Sequence, residues 1–266
     1  MKIHEHFMFG GEFALLNFRS NLYFNDINYS SSLSYLNKTH AGNPLRWDIH
    51  QLKAFHFIKT FEIDSNVAKL YYNQYLHLYR DYNLDWVYEI GQRLVSYELL
   101  KIYFNDTGYP DILLISDCDE IPLDLSIESL NRIDIDYFRL GMDWRIGDPR
   151  YKYEKLWPGT FVIKGAKKIR DMLSDPILPL LIHKTRNYES IKYICGFHLT
   201  YFGSYKEFKE KCKSIAERNG KRVILSSIIG PWLLKKQIDP MLRFNLKISK
   251  VNSDPRFKIL EHCDWN

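Results

Sequence analysis

The clearest hydrophobic signal in the chain is Ile112, Leu113, Leu114 and Ile115, four consecutive apolar residues that follow Pro110 and run into Asp117, Asp119, Glu120 and Pro122. Lacking period-2 alternation, they predict a short strand buried on both faces, as in a parallel sheet. Upstream, residues 3 to 9 read as a first strand. Gly10 and Gly11 lead into an amphipathic helix from Glu12 to Phe24, with Phe13, Leu16 and the Leu22 region on one side. Residues 27 to 36 occupy the place of a second strand, although Ser30, Ser31 and Ser32 make its centre polar. A turn-rich loop from Asn37 to Pro44 follows, in which Gly42 would let backbone approach a ligand closely.

Helical periodicity covers Ser65 to Tyr82 and then, from an Asp85 cap to about Asn105, a longer helix that ends before Gly108 and Pro110. Trp86, Glu89 and Arg93 share one stripe of that helix, and Glu89 and Arg93 form an i,i+4 ion pair. Val87, Ile90, Leu94 and Tyr97 define the apolar stripe beside it. After the acidic strand end come a short helix (Leu125 to Arg132) and a strand (Tyr137 to Met142) that delivers Asp143 and Trp144 to the same edge. A loop from Arg145 to Pro158, a strand from Thr160 to Ile163 and a helix from Lys164 to Leu173 are expected next. Residues 177 to 182 have no clear period. Gly196 to Phe202 is short and β-rich, and Ser204 with Glu207 makes a capping box for a helix whose stripe is Tyr205, Phe208, Cys212 and Ile215, running until Gly220. A last apolar segment spans Val223 to Leu234. Strands alternating with helices predict an α/β protein.

Length changes the picture only by limiting it: 266 residues without a linker or repeat predict a single domain with one core. The net charge of +5 arises from 37 basic and 32 acidic residues that are interspersed, so nucleic-acid binding is not demanded, and a mildly positive cleft for an anionic nucleotide fits as well. Cys118, Cys195, Cys212 and Cys263 show no CxxC spacing, which predicts reduced thiols rather than a zinc site or disulfide framework. No apolar leader follows the N-terminus, and no stretch of about 18 apolar residues occurs. A soluble cytoplasmic protein without a transmembrane segment is the expectation.

The candidate chemistry sits at the strand end. In open α/β sheets ligands collect beyond the carboxyl ends of strands, and Asp117 and Asp119, two apart at that edge, can present oxygens to one hard cation. An Asp-x-Asp by itself also occurs as a pair of solvated turn acids.

Three blocks together resemble glycosyltransferase family 17, which includes β-1,4-mannosyl-glycoprotein N-acetylglucosaminyltransferases. Trp86-x-x-Glu89-x-x-Gln92-Arg93 ahead of Ser116-Asp117-Cys118-Asp119-Glu120-Ile121-Pro122 is similar to the family's WxxExxQR and SDxDEIP. Gly196-Phe197-His198-Leu199-Thr200-Tyr201 resembles its GWHxSY block, with Phe197 in the Trp position and Thr200 in the Ser position. Glu12-Phe13-x-Leu15-Leu16-x-x-Arg19 and Asn37-Lys38-Thr39-His40-Ala41-Gly42 resemble an ELDLLxxR opening and an NKTHAG loop. Order and spacing agree over roughly residues 3 to 218. The serine run, with no acid near Tyr35, departs from the family's apolar second strand.

The resemblance implies a GT-A-type fold: a Rossmann-like mixed, mostly parallel central sheet flanked by helices, with a donor half of about 1–122 and an acceptor half of about 123–266. It implies inverting transfer of N-acetylglucosamine from UDP-GlcNAc to a glycan or glycoconjugate acceptor, with Mn²⁺ or Mg²⁺ offsetting charge on the leaving diphosphate. Asp119 is then the direct metal ligand, Asp117 meets the ribose or a metal-bound water, and His198 is a third ligand or a diphosphate contact, against a satisfied core histidine. Thr39, His40 and Gly42 fall in the nucleotide-side loop. Glu89 and Arg93 hold the Asp-x-Asp loop or meet the donor, against a solvent-facing helical pair. Inversion needs a carboxylate base; Asp143 is the first candidate and Glu120 the second, either of which also fits a structural turn acid. Trp144, Tyr151, Tyr153 and Trp157 are candidates for stacking on acceptor sugars, or for the core. Two rivals stand beside this reading. One is a carbohydrate-binding protein on a transferase scaffold; the other is a haloacid-dehalogenase-like phosphatase, with the first Asp as nucleophile.

Overall fold

The computed structural model describes residues 1–23, 29–38, 45, 48–55, 58–80, 82, 86–202, 208, 220–240, 246–252 and 254–260. Their elements in chain order are β1 (Ile3–Met8), α1 (Phe13–Tyr23), β2 (Tyr29–Leu36), β3 (Ile58–Ile63), α2 (Ser65–Gln74), α3 (Val87–Thr107), β4 (Ile112–Asp117), β5 (Glu120–Ile121), α4 (Ile127–Arg132), β6 (Tyr137–Ile146), β7 (Asp148–Tyr153), β8 (Trp157–Lys164), α5 (Ala166–Leu173), α6 (Leu178–Lys184), β9 (Ile191–Thr200), α7 (Gly220–Lys235) and β10 (Ile248–Lys250). The strands form a ten-stranded sheet among the described residues, in the order β10-β7-β6-β8-β4-β1-β2-β3, with β9 beside β6 and β5 beside β9. The protein is therefore α/β with a mixed sheet, as the alternation of elements predicts.

One half of that sheet is parallel. β3, β2, β1 and β4 run together, with Met8 opposite both Ser34 and Asp117. The chain fills one side of β1 with β2 and β3 and then crosses to the other side with β4. The carboxyl ends of β1 and β4 are thus a topological switch point, where an α/β sheet leaves a crevice for a ligand. The other half is largely antiparallel: β4 to β8, β8 to β6, β6 to β7 and β7 to β10 all reverse, and only β6 and β9 pair in parallel.

Burial on both faces explains the apolar run of β4. Leu113 and Ile115 pack among Tyr97, Leu100 and Phe104 of α3 and Ile169 of α5. Ile112 and Leu114 pack on the opposite face with Leu130 of α4 and Phe138 of β6. Helix α1 lies on that second side farther along, its Leu15, Leu16 and Phe18 against Phe7, Phe9 and Leu33. α3 can lie close to α2 because residue 91 is glycine: a Cβ there would meet the Ala68 carbonyl oxygen at 2.1 Å.

Several elements differ from expectation. The serine run belongs to a regular strand, because its partners are polar too. Ser32 Oγ lies 2.8 Å from His4 Nε2 and 2.9 Å from His6 Nδ1 across the β1–β2 register. Ser96 of α3 donates to Ser34 Oγ at 2.7 Å, and Gln92 Nε2 donates to the Ser34 carbonyl at 2.9 Å. These buried groups hydrogen-bond one another, with His6 Nε2 left without a partner among the described residues, a pattern that apolar periodicity does not register. β3 and β7 lack an alternating pattern long enough to predict; β7 and the start of β8 lie where a loop is expected. The expected helix from Ser65 to Tyr82 stops at Gln74 and continues as a separate 3-10 turn at Leu76–Leu78. Its start is fixed by Asp64, whose Oδ1 accepts from the Asn66 amide at 2.7 Å. Asp85, the Ser204–Glu207 capping box, the Asn37–Pro44 loop beyond Lys38, Cys212 and Cys263 lie outside the described residues. Cys118 and Cys195 are buried free thiols. No helix among the described residues is long and apolar enough to cross a membrane.

Candidate active site at the end of β4

Asp117 ends β4, and its carboxylate is taken up by two arginines. Arg93 Nη2 donates to Oδ1 and Arg186 Nη2 donates to Oδ2, both at 2.6 Å. Arg93 comes from α3, where its Nη2 also meets Glu89 Oε1 at 3.2 Å, so the stripe of Glu89 and Arg93 faces the strand end. Burial alone would raise the Asp117 pKa, but Arg93 and Arg186 overcome it and hold the carboxyl well below the usual carboxylate range. A carboxylate with an arginine on each oxygen orients those arginines. Among the described residues Arg186 Nε has no protein partner.

Arg186 is positioned by the turn after α6. Arg139 of β6, wholly buried, donates to the Gly159 carbonyl at 2.5 Å and to the Ile182 carbonyl near the end of α6. That bond places a cation where the helix leaves its carbonyls exposed. Burial, with Arg186 and Arg93 nearby, lowers the Arg139 pKa to about 9, which keeps it charged at neutral pH. Its guanidinium also lies 5.1 Å from the Phe161 ring centroid.

Glu120 is fully buried. Its Oε1 accepts from Trp157 Nε1 at 2.7 Å and Arg186 Nη2 at 3.2 Å, and its Oε2 accepts from the Asp117 amide at 3.3 Å. Desolvation raises its pKa, against the pull of Arg186. Below the turn, on the α1 side, Arg19 donates to the carbonyls of Cys118 and Asp117 at 2.9 and 3.0 Å, to the Glu120 carbonyl, and to Glu5 Oε1 at 2.5 Å. Glu5 in turn accepts from Ser116 Oγ at 3.0 Å and from the Tyr29 hydroxyl at 2.7 Å. The sharp turn from 117 to 120 is thereby tied to α1, β1 and β2.

His198 reaches this cluster from a strand far along the chain. The two-residue strand β5 pairs with β9 so that Glu120 opposes His198 and Ile121 opposes Phe197. Gly196 makes this approach possible: it has φ +74°, and a Cβ would meet the Ile121 carbonyl oxygen at 2.2 Å. His198 Nε2 lies 3.9 Å from Asp119 Oδ2, and its Nδ1 lies 4.0 Å from Glu120 Oε1. Trp157 packs edge-on against the imidazole, 4.4 Å between centroids, and lies under Arg186, whose guanidinium carbon is 5.2 Å from a ring centroid of Trp157.

Asp117, Asp119, Glu120, Glu89, Arg93 and His198 thus converge, and Asp143 does not. Asp143 opposes Phe197 in the β6–β9 register, whereas its neighbour Trp144 opposes His198. Successive residues of a strand face opposite sides, so Asp143 points away from the cluster. There it is held by Arg145 Nη2 at 2.6 Å and Lys152 Nζ at 2.8 Å. Glu120, the second candidate base, has no exposed surface from which to meet an acceptor. Tyr153 and Trp144 are buried core residues, Tyr153 completely and Trp144 to 6% exposure, and do not offer stacking faces. Thr39, His40 and Gly42 lie outside the described residues. The sequence reading does not find Arg186, which falls in a stretch without periodicity, or the structural part played by Arg139.

A resident divalent cation would need oxygen and nitrogen ligands. Asp119 Oδ2 and His198 Nε2 supply one of each, in a geometry that fits two positions of a cation keeping water and substrate oxygens in the others. No group of three or more His, Cys, Asp or Glu ligands occurs among the described residues.

No protein-family model matches the chain, and no curated protein matches it in sequence. Solved structures that it is similar to are the apo form of mouse xyloside xylosyltransferase 1 (10% identity, TM-score 0.33, covering 75% of this chain and 77% of that one), the apo glycosyltransferase GlyE of Streptococcus pneumoniae TIGR4 (10%, 0.32, 72% and 40%) and the mannosyltransferase PcManGT of Pyrobaculum calidifontis in complex with GDP-Man and Mn²⁺ (7%, 0.36, 98% and 68%).

Proposed function

We propose that the chain is a nucleotide-sugar-dependent glycosyltransferase of the GT-A type that binds its donor diphosphate at the carboxyl end of β4. The observation that carries this reading is the pairing of Asp119 with His198, 3.9 Å apart, beside two arginines at a topological switch point. The three sequence blocks shared with glycosyltransferase family 17 support the finer reading: transfer of N-acetylglucosamine from UDP-GlcNAc in β linkage to a glycan.

Asp119 and His198 would hold Mn²⁺ or Mg²⁺, which when bound neutralises charge on the departing diphosphate. The protein's own contribution is electrostatic and positional. Arg93 and Arg186 border the crevice in fixed orientations, because Asp117 takes one Nη2 of each and Glu120 takes another contact from Arg186. Such preorganised donors need no rearrangement when negative charge develops. Asp117 acts first through the arginines it orients, and Asp119 is the direct ligand. The same geometry weakens the phosphatase alternative, whose nucleophile would be Asp117: both of its oxygens are already engaged.

Calorimetric titration of UDP with and without Mn²⁺ tests the proposal. Wild type is expected to bind UDP only with the metal, to release UDP from UDP-GlcNAc, and to lose both properties in Asp119→Ala with unchanged far-UV circular dichroism. Equal UDP affinity in EDTA, or glycan binding that ignores nucleotide and metal, would overturn it in favour of a binding protein.

A further inference from the structure

Helix α7 carries apolar side chains on two faces, one buried and one open to solvent. Leu233 and Leu234 are buried, Leu234 beside Trp144, Tyr153 and Ile248. Ile228 and Trp232, one turn apart on the other face, are 64% and 56% exposed. Lys235 and Lys236 are exposed as well, and helical spacing puts Ile228, Trp232, Lys235 and Lys236 in one stripe at i, i+4, i+7 and i+8. Strand β10 reaches the same end of the molecule. Its buried Ile248 packs in the cluster of Leu234, with Lys247 before it and Lys250 after it, both exposed. None of Lys235, Lys236, Lys247 and Lys250 has an ion pair among the described residues, whereas Lys101, Lys152 and Lys168 each have one. Glu154, whose amide donates to the Lys247 carbonyl at 3.1 Å, is the one exposed acid among the described residues of α7, β10 and the β7–β8 turn.

We propose that this face docks on an anionic phospholipid bilayer. An indole sits favourably at headgroup depth, where its ring meets acyl chains and its N–H meets water or phosphate. Lysines beside it are drawn to the negative surface. A helix lying in the plane of a membrane buries one apolar face in the lipid and keeps basic residues on its flank. α7 departs from that form in one respect: its second apolar face is docked on the sheet, through Leu234, so insertion is limited to Ile228 and Trp232. The lysines then supply much of the attraction, which makes the binding reversible and sensitive to salt. A protein partner suits this face less well. Two apolar side chains are little area for a stable protein interface, and lysine is depleted from the cores of such interfaces. A lipid surface asks for no shape complementarity. The cluster beneath α7 also contains Trp144, whose ring lies 5.9 Å from the His198 imidazole, so a single layer of side chains joins the docked face to the candidate site. Docking itself needs neither nucleotide nor metal and is independent of the transferase reading.

Co-sedimentation with vesicles tests the surface. The protein is expected to bind vesicles of equimolar phosphatidylcholine and phosphatidylglycerol, to ignore vesicles of phosphatidylcholine alone, and to dissociate from the first kind as salt is raised. Replacing both lysines of the stripe, Lys235→Gln with Lys236→Gln, should weaken binding about thirtyfold, from about fivefold per charge. Trp232→Ala should weaken it about tenfold. Nitroxide-labelled lipid should quench part of the tryptophan fluorescence, and Trp232→Phe should remove that part. These side chains are exposed, so each variant should unfold at the wild-type temperature; should Trp232→Ala fail to fold, the lysine pair decides. No binding to the anionic vesicles at low salt, full binding by the lysine variant, or quenching that persists in Trp232→Phe would overturn the proposal. So would a Trp232→Ala protein that binds vesicles as wild type does and differs only in its oligomeric state by light scattering, because the face would then be a contact between copies. Mn²⁺-dependent UDP binding, measured without vesicles, should be equal in all variants, and its failure in the wild type counts against the transferase reading alone.

Discussion

Arginines grip the turn from Asp117 to Glu120 from both faces of the sheet, in two different ways. On the α1 side, Arg19 and Glu5 are 2% and 1% exposed, and the guanidinium is spent on Glu5 and on three carbonyls of the turn. On the α3 side, Arg93 and Arg186 are 9% and 25% exposed, bind side-chain carboxylates, and border an open cleft. Arginine and carboxylate are the same chemical pair in both places. What separates them is access: a closed pair fixes the backbone, whereas a half-open pair holds its donors ready for something that arrives later. A dense polar cluster is therefore a candidate site only on the side where solvent and a neighbouring cleft reach it.

The largest expected effect tests the closed side. Arg19→Met strands the buried Glu5 carboxylate and three carbonyls of the turn, and should cost about 3–5 kcal/mol, seen as a large fall in the thermal midpoint. Adding Glu5→Gln should recover part of the loss. If Arg19→Met unfolds at the wild-type temperature, the two sides do not differ as described. Arg186→Ala should cost less, about 1–3 kcal/mol, because Asp117 keeps Arg93 and partial exposure to water. Its Mn²⁺-dependent UDP affinity should nevertheless fall more than tenfold, a ratio equal to about 1.4 kcal/mol, and Arg186→Lys should restore stability better than affinity. A variant that loses stability without losing affinity would make Arg186 a second Arg19.

Ser32→Ala sharpens the comparison from below the cleft, where β1 and β2 meet α3. It removes the shared partner of His4 and His6, and a loss of about 1–3 kcal/mol in urea unfolding is expected. A further effect is in pH dependence. Burial depresses the His4 pKa from 6.5 to about 3 and holds His6 well below its ordinary value as well. The unfolded chain therefore binds more protons than the folded one between about pH 6.5 and pH 3. The contribution of these histidines to stability is complete above that window and is lost as pH falls through it. His4→Gln should flatten the acid limb of a plot of urea midpoint against pH, relative to wild type; an unchanged limb would show that His4 is not the group titrating.

What the sequence discloses here follows from the range of each interaction. Ile112 to Ile115, the acids after them and the Glu89–Arg93 stripe are legible because strand burial and helical spacing are local rules. Arg19 is visible as part of a helix, but its bonds lie 97 to 101 residues away, at the turn. Asp143 is misplaced for a related reason: a strand end brings it to the right edge, but only the β6–β9 register decides its face. The serines of β2 look like a flaw in a strand until His4, His6, Gln92 and Ser96 are set beside them. Arg186 gives no local signal at all, since its position comes from the Arg139 bond to the end of α6.

The two-residue pairing of β5 with β9 has a consequence for how this site can change. Asp119 and His198 are brought together by backbone register, with Gly196 allowing the strands to approach. Slippage by one residue would present Phe197 or Leu199 in place of the imidazole and turn His198 to the far face. Improvement by small steps is thus closed to this pair. A single residue gained or lost within 118–121 or 196–199 would remove the imidazole from the site at once.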